Sequence, residues 1–155
     1  MVPRIAAVAV AVPEHEAGQE DIESFARRLF GEALPGSARL AGIFRRGGVG
    51  SRRFCVPLDW FSENRDPREK NCLYIRHAEE LSSEAVKSCL RQAGLAARDV
   101  DHLFFVSTTG MATPSIDARL IGSLGFRRDV KRTPIWGLGC AGGAAGLARA
   151  ADHVR

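Results

Sequence analysis

An α/β fold with helices layered on a mostly buried sheet is the class this sequence predicts. Three observations carry it: strand-length apolar runs alternate with stretches of helical spacing, glycine or proline marks the boundaries, and the first run is apolar on both faces. Residues 4–12 (RIAAVAVAV) form that first run and read as a strand covered on two sides. Over residues 19–33, Ile22, Phe25, Ala26, Leu29, Phe30 and Ala33 share one helical face, which predicts a surface helix packed on the sheet. A Pro35-Gly36-Ser37 break follows, then a short apolar stretch over 40–44 and a loop of arginines and glycines over 45–53. Residues 55–72 read as irregular. Helical spacing resumes over 75–93 through Ala78, Ala85, Val86, Cys89 and Ala93, with Gly94 placed to close the helix. Beyond it, residues 102–108 read as a strand, 115–124 as a helix ending near Gly125, 133–138 as a strand, and 140–155 as a helix of mostly alanine and glycine.

Composition narrows the functional classes. Of 155 residues, 45% are hydrophobic and 26% charged, which suits one globular domain and excludes wholesale disorder and low-complexity fibres. The formal charge is +4, from 22 basic and 18 acidic side chains, and the arginines are dispersed, so nucleic acid is not an expected partner. No window approaches the roughly 18 to 20 apolar residues of a membrane helix, and the apolar run at residues 5–12 is too short for a secretory signal. Cys55, Cys72, Cys89 and Cys140 form no C-x-x-C pair, so neither a disulfide framework nor a metal site is expected. A cytoplasmic protein with reduced cysteines follows.

The last helix bears on the whole protein. Residues 140–147 carry no charge and only one large side chain, Leu147, as suits a helix packed by neighbours on several sides. No later strand is available to cover it, so residues 1–155 are expected to form an incomplete N-terminal domain whose C-terminal half is absent.

Chemistry concentrates between the last strand and the last helix. Gly137, Gly139 and Gly142 satisfy G-x-G-x-x-G, the dinucleotide fingerprint. That fingerprint needs an acidic residue at a strand end about 20 residues on, whereas Asp152 lies on the helix, so the match is weak. Cys140 offers a second reading as a nucleophile, because unpaired backbone N–H groups at a helix start favour a thiolate. The helix start supplies about 0.3 to 2 kcal/mol, so a base is also needed, usually a histidine. None fits: His153 lies about 20 Å along the same helix, His102 begins a strand whose far end is the one near Cys140 if the strands are parallel, and His77 and His15 read as surface or packing residues. From spacing alone, a small buried core cysteine is an equal alternative.

The run from Asp101 to Asp152 resembles the nucleophile-bearing half of type III polyketide synthases, the chalcone and stilbene synthase family. Four elements carry the resemblance: Ser107-Thr108-Thr109-Gly110, Thr113-Pro114-Ser115-Ile116-Asp117, Asp129-Val130-Lys131-Arg132 and Gly139-Cys140-Ala141-Gly142-Gly143. Upstream, Arg52-Arg53-Phe54 and Pro57-Leu58-Asp59-Trp60-Phe61 are similar to the bacterial branch. The resemblance implies a thiolase-like fold of two halves, each a mixed sheet between helices, in a homodimer. It implies a Cys, His and Asn set in which Cys140 is the nucleophile and the His and Asn belong to the second half. Cys140 would take an acyl group from a starter acyl-CoA, and decarboxylated malonyl-CoA would attack the thioester, with no cofactor or metal. Thr108 and Thr109 match pocket-lining positions, with strand-end threonines buried against backbone as the plainer alternative.

Two features depart from the family. The basic trio that holds coenzyme A in the plant enzymes falls on Leu40, Ile43 and Gly47, which leaves Arg45, Arg46 and Arg52 as substitute phosphate contacts, or as a solvated loop. The methionine that the plant enzymes push into the partner's pocket falls on Thr113, a smaller residue implying a roomier pocket. Two other functions stay open: a ketoacyl synthase III-like condensing enzyme of fatty acid synthesis, and an inactive truncated interaction module. The 155 residues alone are expected to be inactive.

Overall fold

A computed structural model describes residues 2–31, 42, 44 and 46–155. They form two compact units, one over Val12–Asp66 and the other over Pro67–Arg155 with the N-terminal segment up to Ala11.

In the Val12–Asp66 unit, strand β1 (His15–Gly18) pairs antiparallel with β2 (Ser51–Phe54), His15 opposite Phe54 and Gly18 opposite Ser51. Both strands fall in stretches that read as loop from the sequence. The pairing is held by charge across the ladder: Glu16 stands opposite Arg53, its carboxylate 2.5 Å from the guanidinium, and accepts from Ser51 Oγ at 2.7 Å. Helix α1 (Gln19–Phe30) follows β1 directly and closes at Gly31, whose φ of 44° suits glycine. Its buried residues are Ile22 and Phe25, on the predicted face, while Leu29 and Phe30 stay exposed. Ala33 and most of the predicted apolar stretch at 40–44 lie outside the described residues. The region read as irregular contains a short 3-10 turn, Leu58–Ser62, where Phe61 packs edge-on against Phe54 and Trp60, and Arg65 lies over the Trp60 ring.

In the other unit, helix α2 (Pro67–Ala93) begins eight residues before the predicted start. Pro67 occupies its first position, where proline's missing N–H costs nothing. The helix closes as predicted at Gly94 (φ 67°): Leu95 N–H reaches Leu90 O and Gly94 N–H reaches Arg91 O, a glycine-closed terminus. Strands β3 (His102–Ser107) and β4 (Lys131–Trp136) are parallel, with His102 opposite Lys131 and Ser107 opposite Trp136. Between them, α3 (Ile116–Leu124) closes at Gly125 (φ 71°), and its Ile116 and Leu120 form the buried core with Phe126 and Val130. Helix α4 (Gly142–Val154) follows the 3-10 turn Gly139–Ala141.

Helices cover both faces of the β3–β4 pair. Gly142 and Gly146 of α4 lie against Val106, and His153 meets His102 and Phe104, so α4 takes the face bearing residues 102, 104 and 106. Tyr74 of α2 bonds Ser107, on the opposite face. The layered α/β order therefore holds. A mostly buried sheet does not: β3 is partly buried throughout, but Lys131, Arg132, Pro134 and Trp136 of β4 are exposed, because no described strand lies beyond β4.

The predicted first strand is the main correction. Residues 4–12 join no ladder, and Val2, Ile5, Val8 and Val10 are exposed. Apolar patterning selects residues for burial but cannot supply the neighbouring strand that pairs their N–H and C=O groups, and none lies beside them among the described residues. No described helix is long and apolar enough to cross a membrane.

Candidate active site

Parallel strands place the segments that follow them on one side of the sheet, where α/β proteins bind ligands. β3 is followed by residues 108–115 and β4 by residues 137–141, and the two exits are joined by Gly137 N–H donating to Ser107 O at 3.3 Å. The second segment carries Cys140. Its backbone turns from strand to helix through Gly137 (φ 83°) and Gly139 (φ 55°), conformations that side chains rarely adopt. Gly142, the first residue of α4, is pressed so closely on Val106 that an added β-carbon would stand 2.6 Å from its Cγ1. Cys140 thus sits in the turn just ahead of a helix start, and it is exposed. The buried-core reading of this cysteine is overturned, and the thiol is open to reaction from outside.

A base is not found beside it. Because β3 and β4 are parallel, His102 stands at the start of the sheet, roughly 17 Å of strand away from the end that leads to Cys140. His153 is at the same far end, its ring edge-on to His102 with centroids 4.4 Å apart. His77, on α2, has both ring nitrogens engaged, Nδ1 with Glu80 at 3.2 Å and Nε2 with Arg76 at 3.1 Å. His15 belongs to the other unit. His102 is nonetheless perturbed: burial, and then the neighbouring His153 and Lys131, hold it below the ordinary histidine range. Its Nε2 contacts Thr133 Oγ1 at 2.8 Å, while Nδ1 is buried without a protein partner.

The three threonines separate. Thr108 and Thr109 are exposed where β3 ends, so the alternative of buried threonines bonded to backbone does not hold. Thr113, also exposed, lines a cavity of about 370 Å3 with Tyr74, Phe105, Met111, Ile116 and Trp136. Thr108, Thr109 and Cys140 are not among its lining residues. Of the proposed phosphate contacts, Arg45 lies outside the described residues. Arg46 is exposed, and Arg52, in β2, donates through Nε to Gln19 Oε1 at 3.3 Å. No group of three or more His, Cys, Asp or Glu stands ready for a metal among the described residues.

Sequence reasoning missed the residues that shape the segment after β3. Asn71 and Tyr74 reach it from α2, and Trp136 reaches it from β4. The signal was present at Pro67: a helix started there puts positions 71 and 74 one turn apart on one face.

Residues 64–154 match the family described as chalcone and stilbene synthases, N-terminal domain. The chain is 41% identical to a putative chalcone synthase of Bacillus subtilis (strain 168), over 97% of this chain and 43% of that protein. It is 39% identical to the 1,3,6,8-tetrahydroxynaphthalene synthase of Streptomyces peucetius subsp. caesius, over 97% of this chain and 40% of that one. In structure it resembles the 1,3,6,8-tetrahydroxynaphthalene synthase of Streptomyces coelicolor A3(2), a bacterial type III polyketide synthase, with a TM-score of 0.87 and 32% identity over 94% of this chain and 41% of that one. PKS-I of the brown alga Ectocarpus siliculosus gives a TM-score of 0.84 and 26% identity over 99% and 44%. The chain therefore spans about two fifths of the length of the relatives it matches.

Proposed function

Because the chain belongs to the chalcone and stilbene synthase family, we propose that it is the nucleophile-bearing N-terminal half of a type III polyketide synthase with the thiolase-like α/β fold of those enzymes. The observation that carries this reading is the exposed Cys140 in the glycine-relaxed turn leading into α4. Cys140 Sγ attacks the carbonyl of a starter acyl-CoA, and the thiol of coenzyme A leaves. The resulting thioester keeps the acyl carbon activated, and backbone N–H groups at the helix start steady the oxyanion. Malonyl-CoA then loses carbon dioxide, and its enolate displaces Cys140 from the acyl group.

The His and Asn of the set are supplied from outside these 155 residues; the remote histidines of this unit support that division. Thr113, on the cavity wall, and Thr108 and Thr109, ahead of it on the same segment, meet the acyl group, and Arg45, Arg46 and Arg52 meet the phosphates of coenzyme A. The enzyme is a cytoplasmic homodimer that uses acyl-CoA and malonyl-CoA and calls for no cofactor, nucleic acid or membrane partner.

The test is intact and peptide mass spectrometry after incubation of the enzyme, with both halves present, with an acyl-CoA. An acyl adduct on the Cys140 peptide, absent in Cys140→Ala, is expected. An adduct that survives the substitution, or none on any cysteine, overturns the assignment.

A further inference from the structure

The segment that follows β3 is held from two sides, by α2 and by β4. From α2, the Asn71 carboxamide makes a closed pair with Met111: Nδ2 donates to Met111 O at 2.8 Å and Oδ1 accepts Met111 N–H at 2.9 Å. Such a pair satisfies both backbone groups of one residue and leaves it little freedom to rotate. One turn along α2, Tyr74 Oη lies 2.5 Å from Ser107 Oγ, and its ring fills the space where a β-carbon on Gly110 would fall. From β4, Trp136 Nε1 donates to Gly110 O at 3.0 Å. Residues 110 and 111 are therefore fixed by α2 and β4 together, although Met111 itself is exposed. Residues 110–113 form one wall of the cavity of about 370 Å3, and this wall leaves the sheet beside the turn that carries Cys140.

We propose that Asn71 is a positioning residue that sets acyl-group selectivity by fixing the shape of residues 110–113. The inference rests on the acyltransferase reading above. Asn71 touches no reacting atom; it acts through Met111, whose position decides how wide the wall stands. A loosened wall admits a longer or bulkier acyl chain without altering the thiol.

The test uses the enzyme with both halves present, in the wild type, in Asn71→Ala and in Asn71→Asp, which has nearly the same shape but loses the donor to Met111 O. Should Asn71→Ala fail to fold, Asn71→Asp carries the test. Three quantities are read: amide hydrogen exchange of residues 108–114, the ratio of Cys140 acylation rates with a long and a short acyl-CoA, and the iodoacetamide labelling rate of Cys140. The expected result is exchange faster by about tenfold, a long-to-short ratio changed by threefold or more, and labelling within twofold of the wild type. Unchanged exchange overturns the clamp. Faster exchange with an unchanged ratio reduces Asn71 to a purely structural residue and also overturns the proposal. A wild type that iodoacetamide labels but no acyl-CoA acylates sinks the acyltransferase reading, and this inference with it.

Discussion

At Cys140 the strand-to-helix turn depends on two glycines whose φ values of 83° and 55° carry no penalty without a β-carbon. An alanine at Gly139 meets open space, so its cost is conformational alone, about 1 to 2 kcal/mol. Gly139→Ala is therefore expected to lower stability by that amount in denaturant unfolding; an unchanged midpoint would show that the turn relaxes freely. His102 gives a residue-scale prediction of a different kind. Its folded pKa lies below the ordinary 6.5, because burial, His153 and Lys131 all oppose its charge. The unfolded chain then binds the proton more readily, so this contribution to stability is present above about pH 6.5 and is lost as pH falls towards the folded value. The melting temperature should fall between pH 7 and pH 5, and His102→Gln, which keeps a donor for Thr133, should flatten that fall. An identical pH profile in the variant would remove His102 as its source.

Among the elements, α4 and α3 are tied to the sheet by opposite means. Helix α4 meets β3 through absence of side chains: a β-carbon at Gly142 or Gly146 would stand 2.6 or 2.9 Å from a methyl of Val106, which branches at Cβ and cannot swing aside. Gly142→Ala should cost about 1 to 3 kcal/mol of overpacking, and Val106→Ala in the same chain should recover most of it, a coupling that a double-mutant cycle measures directly. Helix α3 instead carries a buried charge. Asp117 is 1% exposed, with Oδ2 3.1 Å from Arg132 Nη1 of β4 and Oδ1 without a protein partner. Removing Arg132 strands that carboxylate, at a cost of about 3 kcal/mol once the exposure of the arginine is allowed for. Arg132→Ala should thus unfold at clearly lower denaturant, and adding Asp117→Asn should restore part of the loss; strictly additive losses would mean the pair is not coupled.

For the whole molecule, the exposed apolar surface is the dominant fact. Ile5, Val8 and Val10 of the N-terminal segment and Leu147 of α4 face outward, beyond the scattered exposure common on protein surfaces. The chain also covers only about two fifths of its relatives. The 155 residues expressed alone are expected to self-associate in size-exclusion chromatography and to show no condensation of malonyl-CoA. Turnover by a monodisperse preparation, abolished by Cys140→Ala, would refute that expectation.

Local pattern alone made the Gly94 and Gly125 helix ends, strand β3, the place of Cys140 just ahead of a helix and the family resemblance legible. Each of these depends on residue type and near spacing: glycine for positive φ, apolar runs for a covered strand, a thiol ahead of a helix start. What the sequence could not decide was which groups meet across long separations. The Glu16–Arg53 ladder pair, the Asn71–Met111 clamp and the edge-on contact of His102 with His153 join residues 37, 40 and 51 positions apart. The same limit explains the miss at residues 4–12, where a strand-like pattern was present but the backbone of a neighbour was not. Composition determines what a segment is suited to bury or react with; only the tertiary structure supplies the partner, because hydrogen bonds and packing are satisfied in space and not along the chain.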